Sequence, residues 1–254
     1  MKFIGYVFSF VWKVYFLLLF VVTLLFFFPT FFILLQKRKW YPTVFKIQRI
    51  WAATLLFLSG IVYSVKYRHP VEANKTYVIC SNHFSYLDIV LLYRVIPFYF
   101  VFMAKKELRS VPLFGLFFKD MNIAVDRSSA KASHLASLQA DKELKMGNSV
   151  VIFPEGTIGT TVPKMRPFKN GAFKLAIDNK IAILPITFLN NHKLLTVDPF
   201  FPSSGRPGKA MVIVHKPIET KSFDADDMLL LKTKVEHVIN QSLLAYDDVK
   251  SNKK

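Results

Sequence analysis

The first quarter of the chain differs from the rest in its pattern of apolar and polar positions. Residues 14–35 read VYFLLLFVVTLLFFFPTFFILL and contain no charged residue. At about 1.5 Å per residue, a helix of this run covers roughly 33 Å, enough to cross the hydrocarbon core of a bilayer. A second apolar run covers residues 50–65, and a basic stretch with KRK at 37–39 separates the two runs. This pattern predicts a membrane-embedded helical hairpin over residues 1–69.

Two arrangements of the predicted hairpin are open. Either both runs span the membrane, or the hairpin dips into one leaflet with the basic stretch at the headgroups. Basic residues on both sides of the shorter second run favour the single leaflet, with the rest of the chain on the cytoplasmic side of the cell membrane. Pro29 predicts a kink or an end of the first helix near Phe28. The first run is too long for a signal-peptide core and lacks a cleavage site, which predicts that it stays in the mature protein.

From His69-Pro70 onwards, short apolar runs alternate with amphipathic stretches. The alternation predicts an α/β domain over residues 70–254, with a largely parallel sheet flanked by helices. The strand runs are almost wholly apolar, as expected where a sheet is covered on both faces. The predicted strands are 76–81, 98–104, 121–125, 149–153, 181–189 and 210–215. The predicted helices are 87–95, 128–146, 171–179 and 225–244.

The charge of the chain narrows the class of partner. With 34 Lys and Arg against 17 Asp and Glu, the formal net charge is +17. Such a charge attracts nucleic acid, an acidic lipid surface or a phosphorylated molecule, and the apolar N-terminus favours lipid. We expect no nucleic-acid partner, because no motif of that kind is recognisable. The single cysteine, Cys80, excludes an intrachain disulfide, and no Cys/His cluster has the spacing of a zinc site, so no metal is expected.

A histidine and an aspartate follow the predicted strand 76–81. The sequence from 81 to 88 reads SNHFSYLD, which places His83 and Asp88 five residues apart. Strand ends are where α/β folds present reactive groups. If Asp88 lies in the first turns of the next helix, its carboxylate can hold one imidazole nitrogen and leave the other free as a general base. Taken alone, this pair is weak evidence, since most such pairs are incidental.

Three more polar motifs follow predicted strands. The FPEGT sequence at 153–157 forms a tight turn that offers backbone N–H groups to a polar ligand. Asp126-Arg127 ends a short strand, and arginine is suited to bidentate binding of a phosphate. Lys105 and Lys106 place cations at the end of another strand. Each of these motifs by itself also fits an ordinary turn or a solvated basic surface.

The order of these motifs is more specific than any one of them. The NHxSxxD block, the DR pair, the FPEGT block and LPIT at 184–187 resemble the glycerolipid acyltransferase family typified by 1-acylglycerol-3-phosphate acyltransferases. The resemblance covers roughly residues 80–187, and the N-terminal hairpin is similar to that of bacterial members. It implies transfer of an acyl group from acyl-CoA or acyl carrier protein to the sn-2 hydroxyl of 1-acylglycerol-3-phosphate, giving phosphatidic acid. It implies membrane lipids as partners and no cofactor.

The resemblance also implies roles for individual residues. His83 would be the general base on the acceptor hydroxyl, with Asp88 orienting it. Arg127 would bind the acceptor phosphate, and Lys105 would contact the phosphate or the developing oxyanion. The family pattern makes His83 rather than Ser85 the reactive group. The turn residues that would shape the acceptor site are Glu155, Gly156 and Thr157.

One departure from the family pattern leaves the acceptor open. Many members carry GxxFIxR around the arginine, and here Met121 and Ala124 stand at the glycine and phenylalanine positions. A lyso-aminolipid is therefore an alternative acceptor. A more distant alternative is a membrane-anchored module that binds an acidic partner, which only the charge supports.

Overall fold

A seven-stranded sheet forms the centre of the protein. The computed structural model describes residues 2–126, 129–159, 161–196 and 204–251. The strand order is β1-β7-β6-β2-β5-β3-β4, and all neighbours pair in parallel except β6 and β7. This confirms the predicted α/β fold with a largely parallel sheet. The strands are β1 (Ile61–Tyr67), β2 (Val78–Ser81), β3 (Phe100–Lys105), β4 (Ile123–Val125), β5 (Ser149–Ile152), β6 (Ile183–Phe188) and β7 (Gly208–Val214).

Helices cover both faces of the sheet. Every residue of β2 and β6 is buried, which explains why their sequences are apolar throughout. One core lies between the sheet and α1, α2 and α3, and a second lies between the sheet and α4, α5 and α7. The α-helices are α1 (Lys2–Leu34), α2 (Tyr41–Leu58), α3 (Leu87–Val95), α4 (Ala130–Lys145), α5 (Gly171–Asn179), α6 (Asn191–Leu194) and α7 (Met228–Ser251). The 3₁₀ helices are Arg38–Trp40, Lys106–Ser110 and Phe114–Phe118.

The boundaries of two predicted helices, α3 and α5, are confirmed to the residue. Helix α4 begins two residues later than predicted, at Ala130. Its cap is Ser129, whose hydroxyl accepts a hydrogen bond from the N–H of Ala132. Helix α7 starts at Met228 and continues to Ser251, seven residues beyond the predicted end.

The predicted N-terminal hairpin is formed by α1 and α2, but the second apolar run is divided between a helix and a strand. Helix α2 ends at Leu58, and Gly60 adopts a positive φ of 68°. The chain then enters β1, which pairs with β7 in the sheet. The prediction that residues 61–67 belong to a membrane hairpin is therefore wrong, because their backbone pairs in the sheet. The division of the chain into domains at residue 69 stays a prediction.

Helix α1 passes through Pro29 and continues to Leu34. The alternative in which the proline ends the helix near Phe28 is therefore wrong. The turn after the proline is held by packing, since the Phe31 ring lies 4.9 Å from that of Phe117 and 5.8 Å from that of Trp51. Packing of this kind compensates for the hydrogen bond that proline cannot donate.

One face of α1 packs against the rest of the protein along most of its length. Its buried side chains run from Trp12 to Phe31, and the Lys13 ammonium donates to the Thr196 hydroxyl at 2.7 Å. The opposite face is apolar and exposed. Among the described residues, α1 is the one helix long and apolar enough to cross a membrane. Its most exposed large side chains are Phe3, Ile4, Leu17, Val22, Phe26 and Ile33.

Candidate active site

The two strongest motifs of the sequence meet at the carboxyl edge of the sheet. His83 follows β2, and Glu155 follows β5. Strands β2 and β5 are parallel neighbours, with Cys80 opposite Ile152. The loops that leave these strands therefore emerge side by side. This is the edge at which parallel α/β sheets bind their ligands.

The imidazole of His83 is held by the carboxylate of Asp88. The His83 Nδ1 atom lies 3.0 Å from Asp88 Oδ2. The His83 ring stacks on Phe153 with 3.8 Å between ring centroids and 15° between planes. A carboxylate can only accept, so Nδ1 carries the proton and Nε2 presents a lone pair. His83 is buried apart from 7% of its surface, which leaves the imidazole fixed in orientation and little hydrated.

Asp88 lies in the first turn of α3 and is fully buried. Its Oδ2 atom also accepts from the backbone N–H groups of Phe84 at 2.8 Å and Ser85 at 2.9 Å. Its Oδ1 atom accepts from the Asn191 amide at 2.7 Å. Four donors thus surround one carboxylate, and they compensate for its removal from water. The spacing of five residues lets Asp88 close the loop that carries His83.

Glu155 joins the two loops instead of facing solvent. Its Oε1 accepts from the backbone N–H of His83 at 2.9 Å, and its Oε2 accepts from that of Arg166 at 2.8 Å. Only 2% of its surface is exposed. Burial raises the pKa of the Glu155 carboxyl to about 7, although the two backbone donors oppose the change. The contacts seen for this side chain are to backbone, so it supports the position of His83.

The turn after Glu155 depends on glycine at two positions. Gly156 has a φ of +77°, a conformation that favours glycine, and Thr157 follows it half-buried. Gly159 donates its N–H to the His83 carbonyl at 2.8 Å. A Cβ at Gly159 would lie 3.2 Å from the Phe84 ring and 3.3 Å from Glu155 Oε2. The FPEGT block therefore packs directly against the histidine loop, as its position after a neighbouring strand predicts.

Comparison with known proteins agrees with this geometry. Residues 63–189, half of the chain, match the protein family described as Acyltransferase. The chain belongs to the acyltransferase family. It is similar to the 1-acyl-sn-glycerol-3-phosphate acyltransferase alpha of Mus musculus, with 32% identity over 198 residues, 76% of this chain and 67% of the relative. The 1-acyl-sn-glycerol-3-phosphate acyltransferase of Helicobacter pylori is 34% identical over 142 residues, 55% of this chain and 60% of that protein.

The fold of this acyltransferase also matches a solved structure. The 1-acyl-sn-glycerophosphate (LPA) acyltransferase PlsC from Thermotoga maritima aligns with a TM-score of 0.73 at 21% identity. The alignment covers 98% of each chain, so it includes the N-terminal hairpin as well as the sheet.

Two asparagines also hold the acyltransferase site in place, and the sequence analysis assigned a role to neither of them. Asn82 bridges to β6, where its Oδ1 accepts from the Phe188 N–H at 2.8 Å and its amide donates to the Phe188 carbonyl at 2.9 Å. Asn191 reaches Asp88 from the first turn of α6. Asn82 lies inside the NHxSxxD block, but Asn191 lies 103 residues from its partner and belongs to none of the motifs.

Of the two basic residues of the predicted site, Lys105 lies within the described residues. Lys105 ends β3 opposite Val125, the last residue of β4, and is exposed at the same carboxyl edge. The neighbouring Lys106 ammonium pairs with Asp126 at 2.7 Å. Arg127 lies outside the described residues. Among the described residues, no group of three or more His, Cys, Asp or Glu side chains could hold a metal ion.

Met121 and Ala124 are the two departures from the family pattern. Met121 is buried in the core on the α1 side of the sheet, and Ala124 is half-buried within β4. The larger side chain at position 121 therefore fills the interior. It gives no structural argument for an unusual acceptor headgroup.

Replacing Glu155 by glutamine should remove a pH dependence of stability. A folded-state pKa of about 7 against the ordinary 4.5 means that the folded protein binds this proton more tightly than the unfolded chain does. The free energy of unfolding of the native protein should therefore fall as pH rises from about 4.5 to 7, by about 3 kcal/mol from this group. Denaturant titrations across this window measure the difference between native and Glu155→Gln proteins. If the free energy of unfolding changed with pH equally in both proteins, the raised pKa of Glu155 would be contradicted.

Replacing Asn191 by alanine should lower kcat about tenfold and leave both KM values unchanged. The substitution removes a buried donor from Asp88, and a hydrogen bond to a charged group contributes about 1.5–3 kcal/mol. Asn191 is 1% exposed, so it cannot touch substrate. The matched control is Asn190→Ala, because Asn190 bonds the backbone of Lys209 and Met211. That control should lower the melting temperature with little change in kcat; equal kcat losses would indicate a purely structural role.

Proposed function

We propose that the protein transfers a fatty acyl group from a thioester donor to the sn-2 hydroxyl of 1-acylglycerol-3-phosphate, forming phosphatidic acid. The observation that carries the proposal is the buried hydrogen bond between His83 and Asp88, at the carboxyl edge of the sheet in a chain of the acyltransferase family. The curated relatives from mouse and Helicobacter pylori are named for this activity.

The proposed reaction needs one general base and no covalent enzyme intermediate. The Nε2 atom of His83 accepts the proton of the acceptor hydroxyl as the oxygen attacks the thioester carbonyl. Asp88, bonded to Nδ1, stabilises the resulting imidazolium. When the tetrahedral intermediate collapses, the carbon–sulfur bond breaks and the thiolate takes the proton from His83. The ester forms, a free thiol leaves, and His83 returns to its starting state.

Positive and polar groups would bind the charged parts of the substrates. In this proposal Arg127 binds the acceptor phosphate, Lys105 contacts the phosphate or the oxyanion, and Gly156 and Thr157 shape the acceptor site. Glu155 acts through the loop that it anchors. The donor is acyl-CoA or acyl carrier protein, both acidic, in agreement with the net charge of +17.

The contacts of Ser85 argue against a serine nucleophile. Its hydroxyl donates to the Leu195 carbonyl at 2.6 Å and accepts from the Leu87 N–H at 3.1 Å. The side chain is fully buried. A hydroxyl engaged on both sides in this way fixes the loop between β2 and α3, and it is not presented to a substrate.

The packing of α1 supports the single-leaflet hairpin on the cytoplasmic side of the cell membrane. From Trp12 to Phe31, one face of the helix is covered by the rest of the protein. A helix that crossed the bilayer with this packing would draw charged groups such as Lys13 and the domain surface beside it into hydrocarbon, which is costly. Lying along the interface, α1 can instead keep its exposed apolar face in lipid and its covered face on the protein.

The experiment that tests this function is an acyl-transfer assay with the purified full chain in lipid. Labelled acyl-CoA and acyl carrier protein are each offered with 1-acylglycerol-3-phosphate and with a lyso-aminolipid in competition. We expect labelled phosphatidic acid as the main product. Preferential labelling of the aminolipid would replace the proposed acceptor, and the absence of both products with either donor would contradict acyl transfer.

A further inference from the structure

The connection between β3 and β4 exposes apolar side chains at its outermost point. Residues 109–113 are exposed in succession, and Val111 and Leu113 keep 42% and 36% of their surface accessible. Pro112 lies between them. We call residues 110–113 the tip. Single exposed apolar residues are common on protein surfaces, so the meaning of the tip depends on its shape and surroundings.

The backbone gives the tip a defined and strained shape. Leu113 has a φ of +63° and a ψ of −44°, and the Phe114 N–H donates to the Pro112 carbonyl at 2.7 Å. These values describe a γ-turn with a positive φ, which is rare and unfavourable for leucine. At the base of the tip, Gly115 lies so close to Arg109 that a Cβ would be 2.1 Å from its carbonyl oxygen. Strained backbone of this kind concentrates at functional positions.

The tip lies beside the exposed apolar helix. Phe114, the residue that follows the tip, packs against Phe20 of α1 with 6.1 Å between ring centroids. Farther along, Phe117 packs against Phe31. On α1, Leu17 and Leu18, three and two residues before Phe20, are exposed by 61% and 59%. The exposed apolar residues of α1 therefore lie within one turn of the residue that contacts the segment after the tip.

Cations lie along the chain on both sides of the tip. Arg109 is fixed there, because its guanidinium donates to the Phe118 carbonyl at 2.7 Å and to the Lys119 carbonyl at 3.1 Å. Two carboxylates, Glu107 and Asp120, lie in the same stretch, and Asp126 beyond it pairs with Lys106, so the cations exceed these carboxylates by one. Apolar side chains at an outer point with cations behind them match a bilayer surface that carries anionic headgroups. The four cations of residues 105–120 are Lys105, Lys106, Arg109 and Lys119.

We propose that the tip is a second membrane contact, whose Val111 and Leu113 side chains enter the same leaflet as α1 beneath anionic phospholipid headgroups. The proposal rests on the membrane placement of α1 proposed above and is independent of the acyl-transfer reaction. Two contacts fix the rotation of the domain about the α1 axis, which one helix alone cannot do. The end of β3, with Lys105, is then held at the level of the headgroups.

The test places an environment-sensitive fluorophore on single cysteines of the full chain. In a Cys80→Ala background, Val111→Cys and Leu113→Cys are labelled and reconstituted in vesicles of phosphatidylcholine and phosphatidylglycerol. Quenching by nitroxide on lipid acyl chains is compared with quenching by aqueous iodide. We expect both tip probes to be quenched by the lipid nitroxide and protected from iodide.

Two control positions keep the outcomes separate. Leu138→Cys on α4 is also about half exposed, at 49%, but α4 packs against the other face of the sheet, so its probe should respond to iodide alone. Phe26→Cys on α1 reports the helix itself, since Phe26 is 78% exposed. Lipid quenching at Phe26 with iodide quenching at both tip positions would overturn the tip proposal alone. Iodide quenching at all three would overturn the membrane placement of α1 as well.

A different partner would give a different pattern. If tip probes stay open to iodide in vesicles and become protected only when acyl carrier protein is added, the tip binds an acidic protein and the lipid proposal is wrong. A functional arm uses Val111→Asp combined with Leu113→Asp. This variant should act more slowly on acceptor presented in anionic vesicles and equally fast on a short-chain acceptor dissolved in water. An equal loss on both acceptors would also contradict the proposal.

Discussion

Replacing His83 by alanine should lower kcat for acyl transfer by at least about a hundredfold, the low end for loss of a general base. In the described site, the buried carboxylate of Asp88 holds the Nδ1 atom of the His83 imidazole. This leaves the Nε2 atom to accept a proton. Without it, the acceptor hydroxyl must lose its proton to water in a site that is largely closed to solvent. Initial rates with saturating donor and acceptor measure the effect.

The matched control for this substitution is His134→Ala. His134 lies exposed on α4, and α4 packs against the other face of the sheet from α3. That variant should keep native activity, and both variants should keep the native circular dichroism spectrum. Native activity in His83→Ala would remove the general base from the mechanism and leave the reaction without an assigned proton acceptor.

Replacing Asp88 by asparagine should lower kcat by about 10³-fold or more with only a modest change in the melting temperature. The amide oxygen can still accept from the N–H groups of Phe84 and Ser85, so the loop keeps its shape. The new amide nitrogen would meet Asn191, whose Oδ1 has no hydrogen-bond partner among the described residues. A flip of the Asn191 amide brings that oxygen to accept. What is lost is the negative charge that stabilises the imidazolium and holds His83 in one tautomer, and in a Ser-His-Asp triad the same change costs about 10⁴-fold.

Two further variants separate charge from structure at this position. Asp88→Ala removes all four hydrogen bonds and should lose several degrees of melting temperature as well as activity. Asp141→Asn, at a surface aspartate paired with Lys145 on α4, should change neither quantity. A kcat for Asp88→Asn within tenfold of the native value would mean that the carboxylate positions the loop and contributes no charge to catalysis.

Local sequence patterns were sufficient for the fold of the C-terminal part. The predicted helices 87–95 and 171–179 have the bounds that α3 and α5 show. The strands of this part were recognisable because each is a short apolar run, and β2 and β6 are buried throughout. Such patterns are local, so they can be recognised without knowing which elements pack beside them in the fold.

The second apolar run shows where a local pattern was ambiguous. An apolar run of about this length fits a helix or a buried strand, and periodicity alone does not separate them. The structure divides it, since α2 ends at Leu58 and β1 begins at Ile61. The deciding factor is β7, which supplies a parallel partner for β1 from nearly 150 residues away along the chain, as the pairing of Ile61 with Gly208 shows.

By itself, the sequence determined that an apolar N-terminus precedes an α/β domain, and that His83, Asp88 and the turn at Glu155 come at strand ends in the order of an acyltransferase. Only the tertiary structure decided that Glu155 turns inward to hold the His83 backbone and that Asn191 completes the surroundings of Asp88. The reason is physical. The end of a strand can be recognised from consecutive residues. The partners of a buried carboxylate depend on which loops the sheet brings together, and spacing along the chain does not predict this.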